Sequence, residues 1–192
     1  DITHKKQMEE DLFKSRQELN AIFQGAPILM FLINNQKEII KVNQTAVNYT
    51  GITRQDLLNK SIGKALNCVY CKNGTKCLEM PECSQCRLNM MVDTIYLKDQ
   101  KKIDVKEIEL TMMKDRMQVK KTFFAHAEVL FSNPEARVLF TLLDITDRIE
   151  AEEELKNSES KFRNLIANAP VGIVLVNSKG IIVDANNTAI RI

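Results

Sequence analysis

The chain has no tryptophan, only 6 glycines and 4 prolines, and just 2 histidines among 192 residues. Scarce glycine and proline exclude a collagen-like or low-complexity chain. There is no glycine-rich phosphate loop and no recognisable nucleophile–base pair, so no catalytic motif supports an enzymatic reading of this chain. No apolar run approaches the roughly 20 residues that cross a bilayer; the longest, Ile28 to Ile33, is strand-sized, and no direct membrane contact is expected. Charge of one sign is not in excess either. The 27 basic and 25 acidic side chains are interspersed, which leaves no basic face to track phosphates and argues against a nucleic-acid partner. Asp1-Ile2-Thr3 does not open a basic-then-apolar stretch, and no secretory signal is expected. The cysteines number five, an odd count that argues against a fully paired extracellular framework, so a reducing cytoplasm is the expected setting.

What is present is ample core material and a repeat. Residues 1 to 49 match residues 144 to 192 without a gap: Asp1-Ile2-Thr3 returns as Asp144-Ile145-Thr146, Ala26-Pro27 as Ala169-Pro170, and Asn43, Thr45 and Ala46 as Asn186, Thr188 and Ala189. One full period therefore fits. The expected organisation is a tail of a preceding unit with a linker helix over 1–16, a complete domain over 17–147 with a cysteine-rich insert at 68–86, a linker helix over 148–162, and the opening part of a second domain over 163–192. Met8, Leu12, Ser15, Leu19 and Ile22 form one helical stripe, repeated by Ala151, Leu155, Ser158, Phe162 and Leu165. Such a stripe suits either a helix packed on its own domain or a pairing seam.

Within the period, Ala26-Pro27 ends the first helix, and Ile28–Ile33 and Glu38–Val42 make a hairpin around Asn34-Asn35-Gln36-Lys37. Asn43 sits where an N-cap belongs for a helix running to Thr50, and Gly51 is placed to end it. Thr53-Arg54-Gln55-Asp56 has capping-box spacing for a short helix over Leu57 to Asn59. Gly74 and Pro81 let the chain fold back within the cysteine-rich stretch. Ile108, Leu110 and Met112 alternate; Asp115-Arg116 turns the chain. Val119, Phe123, Ala125, Ala127, Val129 and Phe131 line a long strand, Asn133-Pro134 turns again, and Val138, Phe140 and Leu142 line a last one. Strands separated by helices with hairpin-length turns imply an α+β fold, an antiparallel sheet covered on one face by helices.

This order, with the phrase Val42-Asn43-Gln44-Thr45-Ala46 before Tyr49-Thr50-Gly51 and the exit Leu142-Leu143-Asp144-Ile145-Thr146-Asp147-Arg148, resembles a PAS domain of a tandem sensor protein. The resemblance implies a five-stranded antiparallel sheet, a pocket between sheet and helices, and a homodimer through the linker helices. It also implies neighbouring PAS and output domains in the same chain, commonly a histidine kinase.

All five cysteines, Cys68, Cys71, Cys77, Cys83 and Cys86, fall within one insert. Cys68-Val69-Tyr70-Cys71 and Cys83-Ser84-Gln85-Cys86 are two C-x2-C pairs, a spacing that lets two thiolates grip one metal from the same side. Four thiolates suit zinc or an iron–sulfur cluster. The quartet Cys68, Cys71, Cys83 and Cys86 resembles that of PAS domains carrying a [4Fe-4S] cluster in oxygen-sensing kinases. A second set of PAS domains has a lone cysteine followed by C-x5-C-x2-C, reproduced by Cys68, Cys77, Cys83 and Cys86 ahead of Glu107-Ile108-Glu109-Leu110-Thr111. The chain departs from that second pattern by adding Cys71 and by lacking glycines around Cys77, so either Cys71 or Cys77 stands as fourth ligand.

Spacing alone favours zinc. The sensory context favours iron–sulfur, because zinc has no redox state to report. A third reading is a thiol switch between Cys83 and Cys86. The centre is expected to take the place of the helix that lines a PAS pocket. His126, on a strand and opposite the Phe123 and Ala127 face, suits a surface position better than an axial haem ligand. His4 has no phosphoacceptor context, and Met90-Met91 and Met112-Met113 read as core filling. The expected function is a sensory module that relays redox or gas state through its linker helices. The alternatives are a PAS dimerisation or spacer module with structural zinc, and a small-ligand-binding PAS domain.

Overall fold

A computed structural model of the chain describes residues 2–71, 77, 81–98, 101–131 and 136–191. Gly74 and the Asn133-Pro134 turn lie outside the described residues, and of Phe131 only the backbone is described. The chain divides into two compact units between Thr146 and Asp147.

The first unit opens with α1 (Ile2–Gly25), a continuous helix that runs past residue 16. Its stripe Met8, Leu12, Leu19 and Ile22 is 62–71% exposed, so it does not pack that face on its own unit. Polar contacts hold its last turns instead: Lys41 Nζ donates to Asn20 and lies 4.6 Å over the Phe23 ring.

Five strands form one antiparallel sheet in the order β2-β1-β5-β4-β3: β1 (Leu29–Ile33), β2 (Ile39–Val42), β3 (Lys102–Lys114), β4 (Met117–Phe131) and β5 (Arg137–Asp144). Period-two alternation decides the buried face. Phe31, Phe123 and Phe140 are completely buried, as are Ala125, Ala127, Val138 and Leu142, and each large ring contributes about 1.5–3 kcal/mol by leaving water. Asp115 and Arg116 both adopt positive φ, 49° and 67°, the mirror-image turn that matches strand twist in the tight β3–β4 hairpin.

The helices cover that face. Asn43 caps α2 (Gln44–Thr50) by accepting from the Ala46 amide, and Gly51, at φ 66°, ends it. Thr53 caps α3 over Arg54–Leu57, three residues earlier than the capping box placed it, because the box begins its own turn. Ser61 caps a further turn, α4 (Ile62–Ala65). The helix expected to be replaced by the cysteine centre is present: α5 (Arg87–Lys98) starts directly after Cys86 and buries Leu88, Met91, Val92 and Ile95. That i, i+3, i+4, i+7 stripe carries it onto β3 and β4. Met91 and Met112 are buried, while Met90 is exposed.

The second unit contains α6 (Thr146–Ala167), a hairpin of β6 (Val174–Val176) and β7 (Ile182–Ala185), and α7 (Asn187–Ile190). The helix extends beyond the 148–162 linker, through Ala167. Asn186 repeats the role of Asn43: its side chain accepts from the amides of Ile173 and Ala189 and donates to the carbonyls of Ile166 and Val171.

Candidate cysteine centre

Four elements bring the thiols together. Asn67, at φ 54°, swings the chain out of α4, and its main chain and side chain both bond Met113. The Val69 amide then donates to Thr111 at 3.0 Å and Cys68 forms an isolated bridge with Met112, which stitches Cys68 to β3. The Cys71 amide closes a turn on the Cys68 carbonyl at 2.9 Å. Cys83 lies in a 3-10 turn over Pro81–Gln85, and Asn89 of α5 holds its carbonyl at 3.2 Å. Cys86 precedes α5, its carbonyl accepting from Met90.

The Cys71 and Cys77 sulfurs meet over Gly63 of α4. A Cβ at that position would overlap Cys77 Sγ and stand 3.1 Å from Cys71 Sγ, with Cys68 Cβ at 3.9 Å. Glycine is favoured there by close approach, not by its φ. Cys71 hydrogen-bonds both Cys68 and Cys77, and Cys77 in turn contacts Cys83 and the Ser61 hydroxyl. Cys68, Cys71, Cys77 and Cys83 thus form a continuous chain of side-chain contacts, while Cys86 stands off and feels the others as charge. The Cys83–Cys86 pair, considered above as a thiol switch, is not where the sulfur–sulfur contacts lie.

The thiols are electrostatically unequal. The Cys71 hydrogen bond brings Cys68 down to about 7 against its burial. The same partner, aided by Ser61 and the Gly63 backbone, brings Cys77 down to about 6. Cys71, hydrogen-bonded to one on each side, is pushed far up. Burial pushes Cys83 up to about 11 and raises Cys86 despite the amides of Asn89 and Leu88. Thiolate character is thus favoured at Cys68 and Cys77, and the thiol form at Cys71 between them.

The donor set is all sulfur, which suits zinc or iron. Among the described residues, no group of three or more His, Cys, Asp or Glu side chains stands in the geometry of a metal site. Ligation would require the thiols to turn from one another toward a shared centre.

Beside the cluster lies a cleft of about 980 Å³ lined by Cys68, Cys77, Cys83 and Cys86 together with Ser61, Lys60 and Lys64. Sequence reasoning missed Ser61, Gly63 and α5; the buried stripe of α5 was the available signal. His126 accepts or donates at Asp104, 2.6 Å away, and its other ring nitrogen faces Glu128 at 3.6 Å. It is a surface histidine on the outer sheet face.

Residues 17–69 match the family model for the PAS fold and residues 160–192 that for the PAS domain, one match in each unit. The chain is 27% identical over all 192 residues to Sporulation kinase E of Bacillus subtilis and spans 23% of that protein's length. The PAS domain of an HTR-like protein from Haloarcula marismortui matches with a TM-score of 0.50 at 18% identity, over 73% of this chain and 99% of that one. A PAS domain from Colwellia psychrerythraea gives 0.50 at 14%, over 71% and 98%. These likenesses show the fold, an α+β PAS fold.

Proposed function

We propose that the first unit is a sensory PAS module that holds an inorganic centre through its clustered cysteines and passes the state of that centre along the chain. The observation that carries this reading is the convergence of thiols on bare Gly63, a cradle that any side chain would fill. Cys68, Cys83 and Cys86 would hold the centre with Cys71 or Cys77 as fourth ligand. A [4Fe-4S] cluster would supply a redox- or gas-sensitive state; zinc, the alternative, would supply stability alone.

The relay would run through the sheet. Cys68 is bridged to β3, β3 pairs with β4, β4 with β5, and the Asp144 carboxylate at the end of β5 holds the Thr146 amide and hydroxyl that open α6. Loosening the cluster would bias two pre-existing helix arrangements rather than create a new one. The exposed stripes of α1 and of α6, where Leu155, Phe162 and Leu165 are 62–72% exposed, suit a homodimer through the linker helices. The likeness to a sporulation kinase supports a kinase as the downstream output, which would be of the histidine kinase type. The cleft beside the thiols favours a second reading, a small-ligand-binding PAS domain.

Anaerobic purification followed by iron, zinc and acid-labile sulfide analysis tests this. Iron with sulfide supports the redox reading. Zinc without sulfide removes it and leaves the structural module; no metal at all removes both. Serine at Cys71 and at Cys77 in turn then identifies the fourth ligand, since only the ligand's loss releases the centre.

A further inference from the structure

Five sulfurs are one more than a four-coordinate thiolate site uses. The surplus is not at the margin. Cys71 and Cys77 present their Sγ atoms to the same point over Gly63, both nearer to it than Cys68 Cβ at 3.9 Å. They also differ in placement: Cys77 lines the cleft, whereas Cys71 does not. A reagent in the cleft meets Cys77, and Cys71 is a thiol within contact of it. Lys37, Lys60, Lys64, Arg87 and Lys120 line the same cleft against Glu38, Glu107 and Glu109, and that basic excess suits an anionic reagent.

We propose that Cys77 is a thiolation site and Cys71 its resolving thiol, so that a low-molecular-weight disulfide such as oxidised glutathione converts the pair to an intramolecular disulfide. The Cys77 thiolate attacks one glutathione sulfur; the Cys77–glutathione S–S bond forms and the first glutathione thiolate leaves, taking up a proton. Cys71, giving up its proton, then attacks Cys77 Sγ and releases the second glutathione. Two protein thiols are oxidised and one disulfide is reduced to two thiols.

The consequence is a lock. Only Cys68, Cys83 and Cys86 remain as thiols, too few for a four-thiolate centre; this consequence, unlike the disulfide itself, rests on the function proposed above. Oxidation before the centre is inserted would keep the module empty until the disulfide is reduced.

The test uses the full chain, stripped of metal with chelator and reductant, freed of both, exposed anaerobically to oxidised glutathione, and mapped by mass spectrometry after alkylation. The expected product links Cys71 to Cys77. Cys71→Ser accumulates glutathione on Cys77, and Cys77→Ser carries none on Cys71. A main link between Cys68 and Cys71 or between Cys83 and Cys86, or an adduct on Cys71 in the Cys77→Ser chain, overturns the proposal. Zinc titration of the same samples separates the two ideas. Stoichiometric uptake by reduced chain, lost on oxidation and regained with dithiothreitol, supports the lock, and equal uptake by both forms overturns it. A Cys71–Cys77 link in a chain that takes up neither zinc nor a reconstituted cluster sustains the disulfide and removes the inorganic centre.

Discussion

The Tyr49 hydroxyl donates to Asp144 Oδ2 at 2.8 Å across 95 residues of sequence, tying the helix that follows the first hairpin to the last residue of the final strand. The other carboxylate oxygen accepts from the amide and hydroxyl of Thr146, and Thr146 Oγ1 in turn accepts from the Thr122 amide at 3.0 Å. One carboxylate thus clamps helix, sheet and exit. Tyr49→Phe removes this bond and keeps the ring that packs edge-on against Phe123. It should destabilise the unit by about 1–2 kcal/mol, read as a lower urea midpoint with an unchanged m-value.

The same clamp sets an acid limit. Burial raises the Asp144 pKa, but the bonds from Thr146 and Tyr49 and the charge of Lys121 outweigh it and hold the group below its ordinary value. A folded-state pKa below the unfolded one contributes stability that is present above the unfolded value, about 4, and is lost as pH falls through the folded one. Urea unfolding from neutral pH into this acid range should show that loss, and Asp144→Asn should flatten the part of the profile that Asp144 supplies.

Gly63→Ala places a methyl against Cys77 and Cys71 Sγ. Overpacking of this kind costs about 1–3 kcal/mol, and the cheapest relief is outward rotation of Cys77. Alkylation of Cys77 should accelerate while far-UV circular dichroism stays that of the parent chain; unchanged alkylation would show that the thiols do not rest on Gly63.

Asn43 is fully buried and makes four side-chain hydrogen bonds, accepting from Met30 and Ala46 amides and donating to Ala26 and Ile28 carbonyls. Asn43→Asp keeps the acceptors but turns a carboxylate toward two carbonyls. Stability should fall by about 3 kcal/mol or more, since a buried group without its partner carries its full desolvation cost. Thermal unfolding measures this directly, and the loss should be larger than that of Tyr49→Phe.

Leu12→Asp with Ile22→Asp puts charge into the exposed stripe of α1. If that stripe pairs two copies, sedimentation should shift from dimer toward monomer without loss of the sheet. A chain that is monomeric before substitution removes the pairing.

Local chemistry was legible because its causes are local. Asn43 and Gly51 announced the ends of α2, Thr53 announced α3, and alternation from Phe123 to Ala127 announced the inner face of β4. α5 was overlooked although Leu88, Met91, Val92 and Ile95 spelled its stripe, because the cysteine pairs beside it suggested a metal knot in its place. The register of β1 against β5, pairing Phe31 with Phe140, depends on residues more than a hundred positions apart and carries no local mark.

The repeat, the caps, the strand faces and the gathering of five thiols into one insert are all written along the chain, since each depends on near neighbours in it. Tertiary structure alone decided which sulfurs touch. That choice turns on Gly63 lying under Cys71 and Cys77 and on the bridge from Cys68 to Met112, contacts made only once α4 and β3 are brought together in space.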